Sequence, residues 1–244
     1  MTFRFAVSVA ALALLSACGS KGGDSSAPAA PVAAVAAPAG QDWTQVVSKT
    51  PEGGYVMGNP NAAIKLVEYG SRTCPTCGAF GQTGMKPLEE QYVKSGKVSY
   101  EFRDFLVHAP DLGVAALGHC VGEAPFFPLL EQMYMEQPGF LEKLEKTPAD
   151  FQQKLQSMTP AQQATAWVDF LGYVDFVKQR GVTEQQARAC LADGKKMEEI
   201  GKITETAMRD KGVTGTPSFF LNGKLLEGSV TWPQIEAALK HAGA

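Results

Sequence analysis

Two cysteines with two residues between them, Cys74 and Cys77, constrain this chain more than any other feature. They follow a strand-like run over residues 63–69, and they open a segment reaching residue 94 that has the apolar spacing of a helix, with Pro75 in its first turn. A spacing of three residues puts both side chains on one face of a helix, within reach of a disulfide. This arrangement predicts a redox-active pair. Half of a zinc site and a buried structural disulfide are the alternatives, but the sequence offers neither a second paired-cysteine motif nor suitably spaced histidines.

The position of Cys74 at the start of a helix predicts the chemistry of its sulfur. Free backbone N–H groups and the positive end of the helix dipole favour a thiolate there. A low thiol pKa makes Cys74 a good leaving group when its disulfide is attacked, so the oxidised pair becomes a better oxidant. We expect Cys77, one turn further into the helix, to be less exposed and to act as the resolving thiol.

Downstream of this pair the pattern changes from strands to helices. Residues 98–105 alternate like a second strand, and no convincing strand follows over residues 112–211. This stretch instead contains helical candidates at 112–121, 126–136, 149–156, 160–179, 184–192 and 194–211.

Strand signals return near the C-terminus. Two short apolar runs, 217–221 and 224–227, flank the turn Asn222-Gly223, which is a strong hairpin signal, and a last helix is expected over 231–241. The chain therefore predicts an α/β fold split by an all-helical insertion. We assign the parts to two sets of residues: 42–111 with 212–244 for the α/β domain, and 112–211 for the insertion.

The N-terminal residues are expected to lie outside the folded domain. Arg4 precedes an apolar run too short to span a bilayer as a helix, which is typical of a secretory signal over residues 1–17. The residues before Cys18 resemble the lipobox of bacterial lipoproteins, which implies cleavage before that cysteine and a lipid on its sulfur. An uncleaved anchor, or an ordinary signal that leaves Cys18 free, is the alternative. The composition of 18–41, rich in Ala, Pro and Gly, predicts a disordered tether to the membrane.

The strand, the paired cysteines, the helical stretch and the later Gly215-Thr216-Pro217 together resemble the DsbA-like branch of the thioredoxin superfamily, over residues 50–244. The resemblance implies a thioredoxin-like fold with an inserted helical domain. It also implies that Pro217 is a cis-proline packed against the active disulfide and that Thr216 offers backbone groups to a substrate strand. A trans proline that starts a strand is the alternative.

The same resemblance implies further site residues. Such proteins hold a buried acid beneath the active site, here Glu68, which would relay the proton of Cys77; the alternative is a strand-end charge in water. Thr76 stands where the best-known member of the family carries histidine, so its hydroxyl brings no charge to the thiolate and we expect a weaker oxidant. Some members carry a second disulfide across the helical domain, which implies a Cys120–Cys190 pair, with two separate buried thiols as the alternative.

These features predict an exported thiol–disulfide oxidoreductase. The first hypothesis is a dithiol oxidase that introduces disulfides into newly secreted proteins, and the resemblance implies a DsbB-like membrane oxidase as its redox partner. A reductase or isomerase fed by a reducing partner is the second hypothesis, and a non-catalytic peptide-binding or chaperone module is the third. We expect a lipid-anchored monomer outside the cytoplasm, acting on reduced or misfolded exported proteins without a cofactor or metal. A net charge of −3 gives no basic surplus for binding nucleic acid.

Overall fold

The structure, a computed structural model, describes residues 1–2 and 29–244 and is built on a six-stranded sheet in the order β1-β2-β4-β3-β5-β6. The strands are β1 (Val47–Lys49), β2 (Tyr55–Gly58), β3 (Ile64–Gly70), β4 (Val98–Asp104), β5 (Ser218–Leu221) and β6 (Lys224–Leu225). Strands β3 and β4 are parallel, and the other neighbouring pairs are antiparallel. A parallel pair needs a crossover, and the helix after the paired cysteines supplies it.

Strand β3 lies inside the sheet, between β4 and β5, and leads directly to the paired cysteines. Its first half alternates, with Ile64 and Leu66 buried on one face and Lys65 exposed on the other, as expected for a strand with one face on the core. The register puts Glu68 beside Phe102 of β4 and Phe219 of β5, so that its carboxyl group is fully buried in an apolar part of the sheet.

Helix α1 (Pro75–Pro87) begins after Cys74, which is its N-cap residue. The sequence predicts one helix as far as residue 94 with a kink at Pro87. The structure instead changes helical type at this proline and continues as a π-helical segment, Leu88–Val93. Proline lacks an N–H and crowds the preceding turn, and a change of helical type is one way for the chain to accommodate it.

Helices fill the fully described stretch between β4 and β5. They are α2 (Asp111–His119), α3 (Phe126–Glu145), α4 (Ala149–Leu155), α5 (Pro160–Leu171), α6 (Tyr173–Lys178), α7 (Glu184–Ala192) and α8 (Gly194–Lys211). Helix α3 runs through Pro138, past its predicted end at residue 136, and stacks Phe140 on Tyr173 with ring centres 3.9 Å apart. The helix predicted over 160–179 is two helices, because Gly172 adopts a left-handed conformation (φ 91°) between them.

Two apolar cores meet along α3. The sheet core takes Phe126, Phe127 and Tyr134 from this helix, whereas the helical core takes Leu129 and Met133 from its other side. Helix α3 therefore belongs to both parts of the fold. The domain boundaries assigned from the sequence stay a prediction.

A disulfide closes the helical part of the fold. It joins Cys120, which follows α2, to Cys190 in α7, with an S–S distance of 2.07 Å. The two cysteines are 70 residues apart in the chain.

The residues before β1 make contacts that their composition does not predict. The backbone N–H of Val32 donates to Gly243 and that of Val35 donates to Ser95, while the indole of Trp43 donates to the carbonyl of Val35. From residue 29 onward the segment therefore lies on the domain, in contrast to the disordered tether predicted over 18–41. The predicted signal, Cys18 and the earlier part of the tether lie outside the described residues.

The C-terminal elements follow the sequence pattern closely. Strands β5 and β6 form a hairpin around Asn222 and Gly223, whose φ angles of 50° and 82° match the turn that this pair favours. Helix α9 (Trp232–His241) follows, and Thr231 and Gln234 form a capping box at its start.

Candidate active site

The paired cysteines occupy the first turn of α1 and differ in exposure. Cys74, the N-cap residue, is 8% exposed, whereas Cys77 is fully buried. Both are free thiols in this structure. The intervening Pro75 and Thr76 are exposed and form the outer surface of the motif. Only the sulfur of Cys74 is therefore open to a protein partner.

Hydrogen bonds directed at one sulfur make Cys74 acidic. The Cys77 thiol donates to it, and this bond is the main reason that the pKa of Cys74 falls to about 5, although partial burial opposes the change. The backbone N–H groups of Cys77 and Thr76 contribute in the same direction, as expected at a helix N-terminus. The side-chain hydroxyl of Thr76 makes no contribution of this kind among the causes of the shift. Cys74 is thus a thiolate at neutral pH.

Cys77 has the opposite character. Burial raises the pKa of its thiol well above the ordinary value. The hydrogen bond that this thiol donates to Cys74 and the nearby charge of Glu68 raise the pKa further. The backbone N–H of Ser71 lies 3.5 Å from its sulfur. The pair therefore contains one stabilised thiolate and one thiol that holds its proton.

Glu68 is a fully buried carboxyl group close enough to the cysteines to interact with their charge. Burial raises its pKa to about 8, against the effect of a 2.5 Å hydrogen bond from the hydroxyl of Tyr100, and the charge of Cys74 raises it further. Its other oxygen, Oε1, has no hydrogen-bond partner among the residues that the structure describes. A neutral buried acid of this kind is suited to exchanging a proton with Cys77. The sequence pattern did not identify Tyr100 as part of the site.

The loop before β5 lies against the sulfur of Cys74, the more accessible of the two. The Thr216–Pro217 peptide bond is cis, and Cys74 Sγ lies 3.4 Å from the carbonyl oxygen of Thr216. The structure therefore brings four predicted residues together: Cys74, Cys77, Thr216 and Pro217. Cys120 and Cys190 form their disulfide in the helical part, separate from this site.

Gln137 of α3 holds the backbone around the motif, which the sequence did not reveal. Its amide Nε2 donates to the carbonyl of Cys74 over 2.9 Å and to that of Arg72 over 3.1 Å. The side chain is 2% exposed and lies directly against Gly78, where a methyl group would come 2.0 Å from its Oε1 atom. Gly78 thus permits the close approach of α3 to α1.

A buried ionic cluster anchors the residue two positions before Cys74. The guanidinium of Arg72 is 1% exposed and donates to Asp104 over 2.8 Å, and Nε2 of His119 lies 2.8 Å from the same carboxylate. Although burial opposes ionisation, the charge of Arg72 and the contact with His119 hold the pKa of Asp104 at about 2. Arg72 sits over the rings of Phe102 and Phe126, with centroid distances of 5.4 and 5.0 Å. These buried contacts of Arg72 therefore hold the loop between β3 and Cys74 in place.

The described part of the chain, residues 1–2 and 29–244, contains no group of three or more His, Cys, Asp or Glu residues placed to hold a metal. In those same residues, no helix is both long enough and apolar enough to cross a membrane.

Comparison with known sequences relates the chain to the thioredoxins. The thioredoxin family profile matches residues 50–241. A Rickettsia bellii protein named "Putative protein-disulfide oxidoreductase" is 28% identical over 198 residues, which cover 81% of this chain and 68% of the relative. The chain spans 58% and 63% of the length of two similarly named proteins, from Rickettsia typhi and Rickettsia felis.

Comparison with solved structures agrees with this sequence relationship. The protein-disulfide isomerase of Novosphingobium aromaticivorans is 28% identical with a TM-score of 0.74, covering 77% of this chain and 95% of that one. The α-DsbA1 protein of Wolbachia pipientis is 20% identical with a TM-score of 0.60, covering 77% of this chain and 89% of that one. The predicted DsbA-like, thioredoxin-like α/β fold is confirmed.

Proposed function

The chain belongs to the thioredoxin family, as a DsbA-like member, and we propose that it is an exported thiol–disulfide oxidoreductase that introduces disulfides into newly secreted proteins. One observation carries this proposal: the pKa of Cys74 falls to about 5 while that of Cys77 lies well above the ordinary value. Stabilising the Cys74 thiolate stabilises the reduced enzyme, and a disulfide whose reduced form is stabilised is a stronger oxidant.

The reaction follows from the exposure of the two sulfurs. A client thiol gives up its proton and attacks Cys74, the more accessible sulfur, and Cys77 leaves with the electron pair and takes a proton from Glu68. A second client thiol then attacks the mixed disulfide, and Cys74 leaves as a stabilised thiolate. The client gains a disulfide, and the enzyme is left reduced.

Client binding and reoxidation need partners. Clients are reduced or misfolded exported proteins, whose extended backbone pairs beside Thr216 and the cis-Pro217, because the loop lies next to the reactive sulfur. A DsbB-like membrane oxidase returns the pair to the disulfide. The protein acts as a monomer and without a cofactor.

The site of action is outside the cytoplasm. The charged and apolar start of the chain supports a signal over residues 1–17, and the lipobox-like residues support lipidation of Cys18. The following residues as far as 41 link this anchor to the domain. The protein is therefore a lipid-anchored periplasmic or extracytoplasmic enzyme in this proposal.

A disulfide isomerase or reductase is the second candidate. Its support is the likeness to the Novosphingobium aromaticivorans protein named as a protein-disulfide isomerase. The acidic Cys74 also serves an isomerase, which needs a reactive thiolate to attack wrong disulfides. The direction of electron flow separates the two candidates.

Refolding of ribonuclease A tests the function. The oxidised protein is mixed with reduced, denatured ribonuclease, and the reduced protein is mixed with the scrambled form, with Cys74→Ser and Cys77→Ser as controls. Rapid oxidation without reshuffling supports the oxidase, and efficient reshuffling supports the isomerase. Failure in both assays contradicts an enzymatic role and leaves a peptide-binding or chaperone module.

A further inference from the structure

A second carboxylate, Asp111 at the start of α2, organises the surface next to the reactive thiol. Its oxygens accept from the hydroxyl groups of Ser71 (3.0 Å) and Thr73 (2.6 Å). They also accept from the backbone N–H groups of Val107 (2.7 Å) and His108 (2.8 Å). Asp111 is 2% exposed, and burial raises the pKa of its carboxyl group above the ordinary value, whereas these four hydrogen bonds act in the opposite direction and favour the carboxylate.

These contacts fix the orientation of an exposed histidine. While Asp111 is a carboxylate, the hydroxyl of Thr73 donates its one hydrogen to Asp111, and the 2.9 Å contact with Nδ1 of His108 is then donated by the imidazole. The proton of a neutral His108 ring is therefore on Nδ1, which leaves Nε2 as the acceptor. His108 is exposed, and Thr73 is the residue directly before Cys74.

Resting on the proposed function, we propose that His108 is a catalytic base that accepts the proton of the client thiol as this thiol attacks Cys74. The client S–H bond and the Cys74–Cys77 bond break, and a bond between the client sulfur and Cys74 forms. The proton goes to Nε2 of His108, and Cys77 takes the electron pair of the broken disulfide. His108 then releases its proton to solvent before the second client thiol reacts.

The surroundings of His108 suit this role. Asp111 faces it through Thr73, and its carboxylate would stabilise the imidazolium that forms. Thr73 has a titratable neighbour on each side in the chain: Cys74 follows it, and Arg72 precedes it with its guanidinium paired with Asp104. Helix α8 meets this loop through the neutral Thr204, whose hydroxyl accepts from the backbone N–H of Leu106 over 2.9 Å. An imidazole is the side chain best suited to accept and release a proton near neutral pH.

The test is the rate at which dithiothreitol reduces the full-length oxidised protein, measured from pH 6 to pH 9.5 for wild type and His108→Gln. About 3% of an ordinary thiol is ionised at pH 7, which limits the benefit of a base to roughly 30-fold. We expect the variant to be about tenfold slower at pH 7 and equal to wild type at pH 9.5, because the attacking thiol is then already ionised.

Variants at Thr73 test whether its hydroxyl group, which links Asp111 to His108, is needed for the action of His108. Thr73→Val, which keeps the shape and removes the hydroxyl, should reproduce the pH-dependent loss, and Thr73→Ser should restore most of the rate. His241→Gln, which removes an imidazole from α9, is the matched control and should follow wild type.

The outcomes separate this inference from the proposed function. A rate ratio between wild type and His108→Gln that is constant with pH, or equal to one at pH 7, overturns the role of His108 while the wild-type protein still oxidises its substrate. Wild-type protein that fails to oxidise ribonuclease instead contradicts the proposed function.

Discussion

Tyr100 donates its hydroxyl hydrogen to Oε2 of Glu68 over 2.5 Å, and both side chains are fully buried. Burial and the nearby carboxyl group raise the pKa of Tyr100 well above its ordinary value, so the tyrosine keeps its hydrogen and acts as a permanent donor. The proton that Glu68 carries is therefore on its unpartnered atom, Oε1. Because the charge of Glu68 also acts on Cys77, this leaves one exchangeable proton close to the buried sulfur.

Glu68 should make the folded protein less stable as the pH rises. Its folded pKa is about 8, above the value of roughly 4.3 in an unfolded chain. Between these values the folded state holds a proton that the unfolded state has lost, so stability falls with rising pH by about 1.4 kcal/mol per unit. By pH 7 the accumulated cost is roughly 4 kcal/mol. Glu68→Gln should abolish this slope.

Urea unfolding of the oxidised protein at pH 5 to 8 measures the effect of burial, the main cause of the raised pKa, because Cys74 in a disulfide neither titrates nor adds its charge. Glu90→Gln, on the exposed side of the π-helical segment, is the control and should keep the wild-type slope. Parallel stability curves for wild type and Glu68→Gln would show that the buried carboxyl group does not titrate in this range.

Cys74 should react as a thiolate at a pH at which free cysteine does not. The alkylation rate of the reduced protein by iodoacetamide is expected to have its midpoint near pH 5. Cys77→Ala should move this midpoint upward, because it removes the thiol whose hydrogen bond lowers the pKa most. Thr76→Ala should leave the midpoint in place, since the backbone N–H of this residue is retained. A wild-type midpoint near 8.5, the value of a free thiol, would contradict the electrostatic basis of the proposed function.

The core of the site could be predicted because its signals are local. The apolar run of β3, the cysteines at the N-terminus of α1 and Pro75 in its first turn lie within a few residues of each other. Local pattern and final structure therefore agree there. The hairpin around Asn222 and Gly223 is another local signal, since these two residues favour the backbone angles that the turn requires.

The residues that hold the backbone around the cysteines could not be predicted, because their contacts join distant parts of the chain. Gln137 reaches the carbonyl of Cys74 from α3, 63 residues away, and Asp104 meets Arg72 across 32 residues. In sequence, a glutamine on a helix and an aspartate at a strand end have the character of ordinary surface residues. Their roles follow from the packing of α3 on α1. The contacts made after residue 29 were missed for a related reason, since composition does not reveal backbone hydrogen bonds.

Gly78 should not tolerate a methyl group. A Cβ atom there would lie 2.0 Å from Oε1 of Gln137, whose amide is held by its bonds to the carbonyls of Arg72 and Cys74. Gly78→Ala is therefore expected to lower the free energy of unfolding by about 1–3 kcal/mol and to slow thiol exchange by displacing the backbone of Cys74.

Gly139→Ala in α3 is the matched control for this substitution. Among the described residues, no atom outside the adjoining turns of α3 lies within 4 Å of the position of its added methyl group, so it should raise helix stability by about 0.5–1 kcal/mol and leave exchange unchanged. Denaturant unfolding and ribonuclease oxidation measure both properties. Equal behaviour of the two alanine variants would contradict the role assigned to the contact between Gly78 and Gln137.

The Cys120–Cys190 disulfide should stabilise the fold without taking part in exchange. Closing a loop across 70 residues restricts the unfolded chain, which is worth about 4 kcal/mol in the chain-entropy model. The double variant Cys120→Ala/Cys190→Ala should therefore unfold at lower urea concentration than wild type, while ribonuclease oxidation through Cys74 and Cys77 continues. The difference in stability should shrink sharply when both proteins are unfolded in excess reductant, because wild type then loses the same crosslink. A free thiol at either position in peptide mass mapping of the oxidised wild-type protein, or equal stability without reductant, would show that this bond does not form in solution.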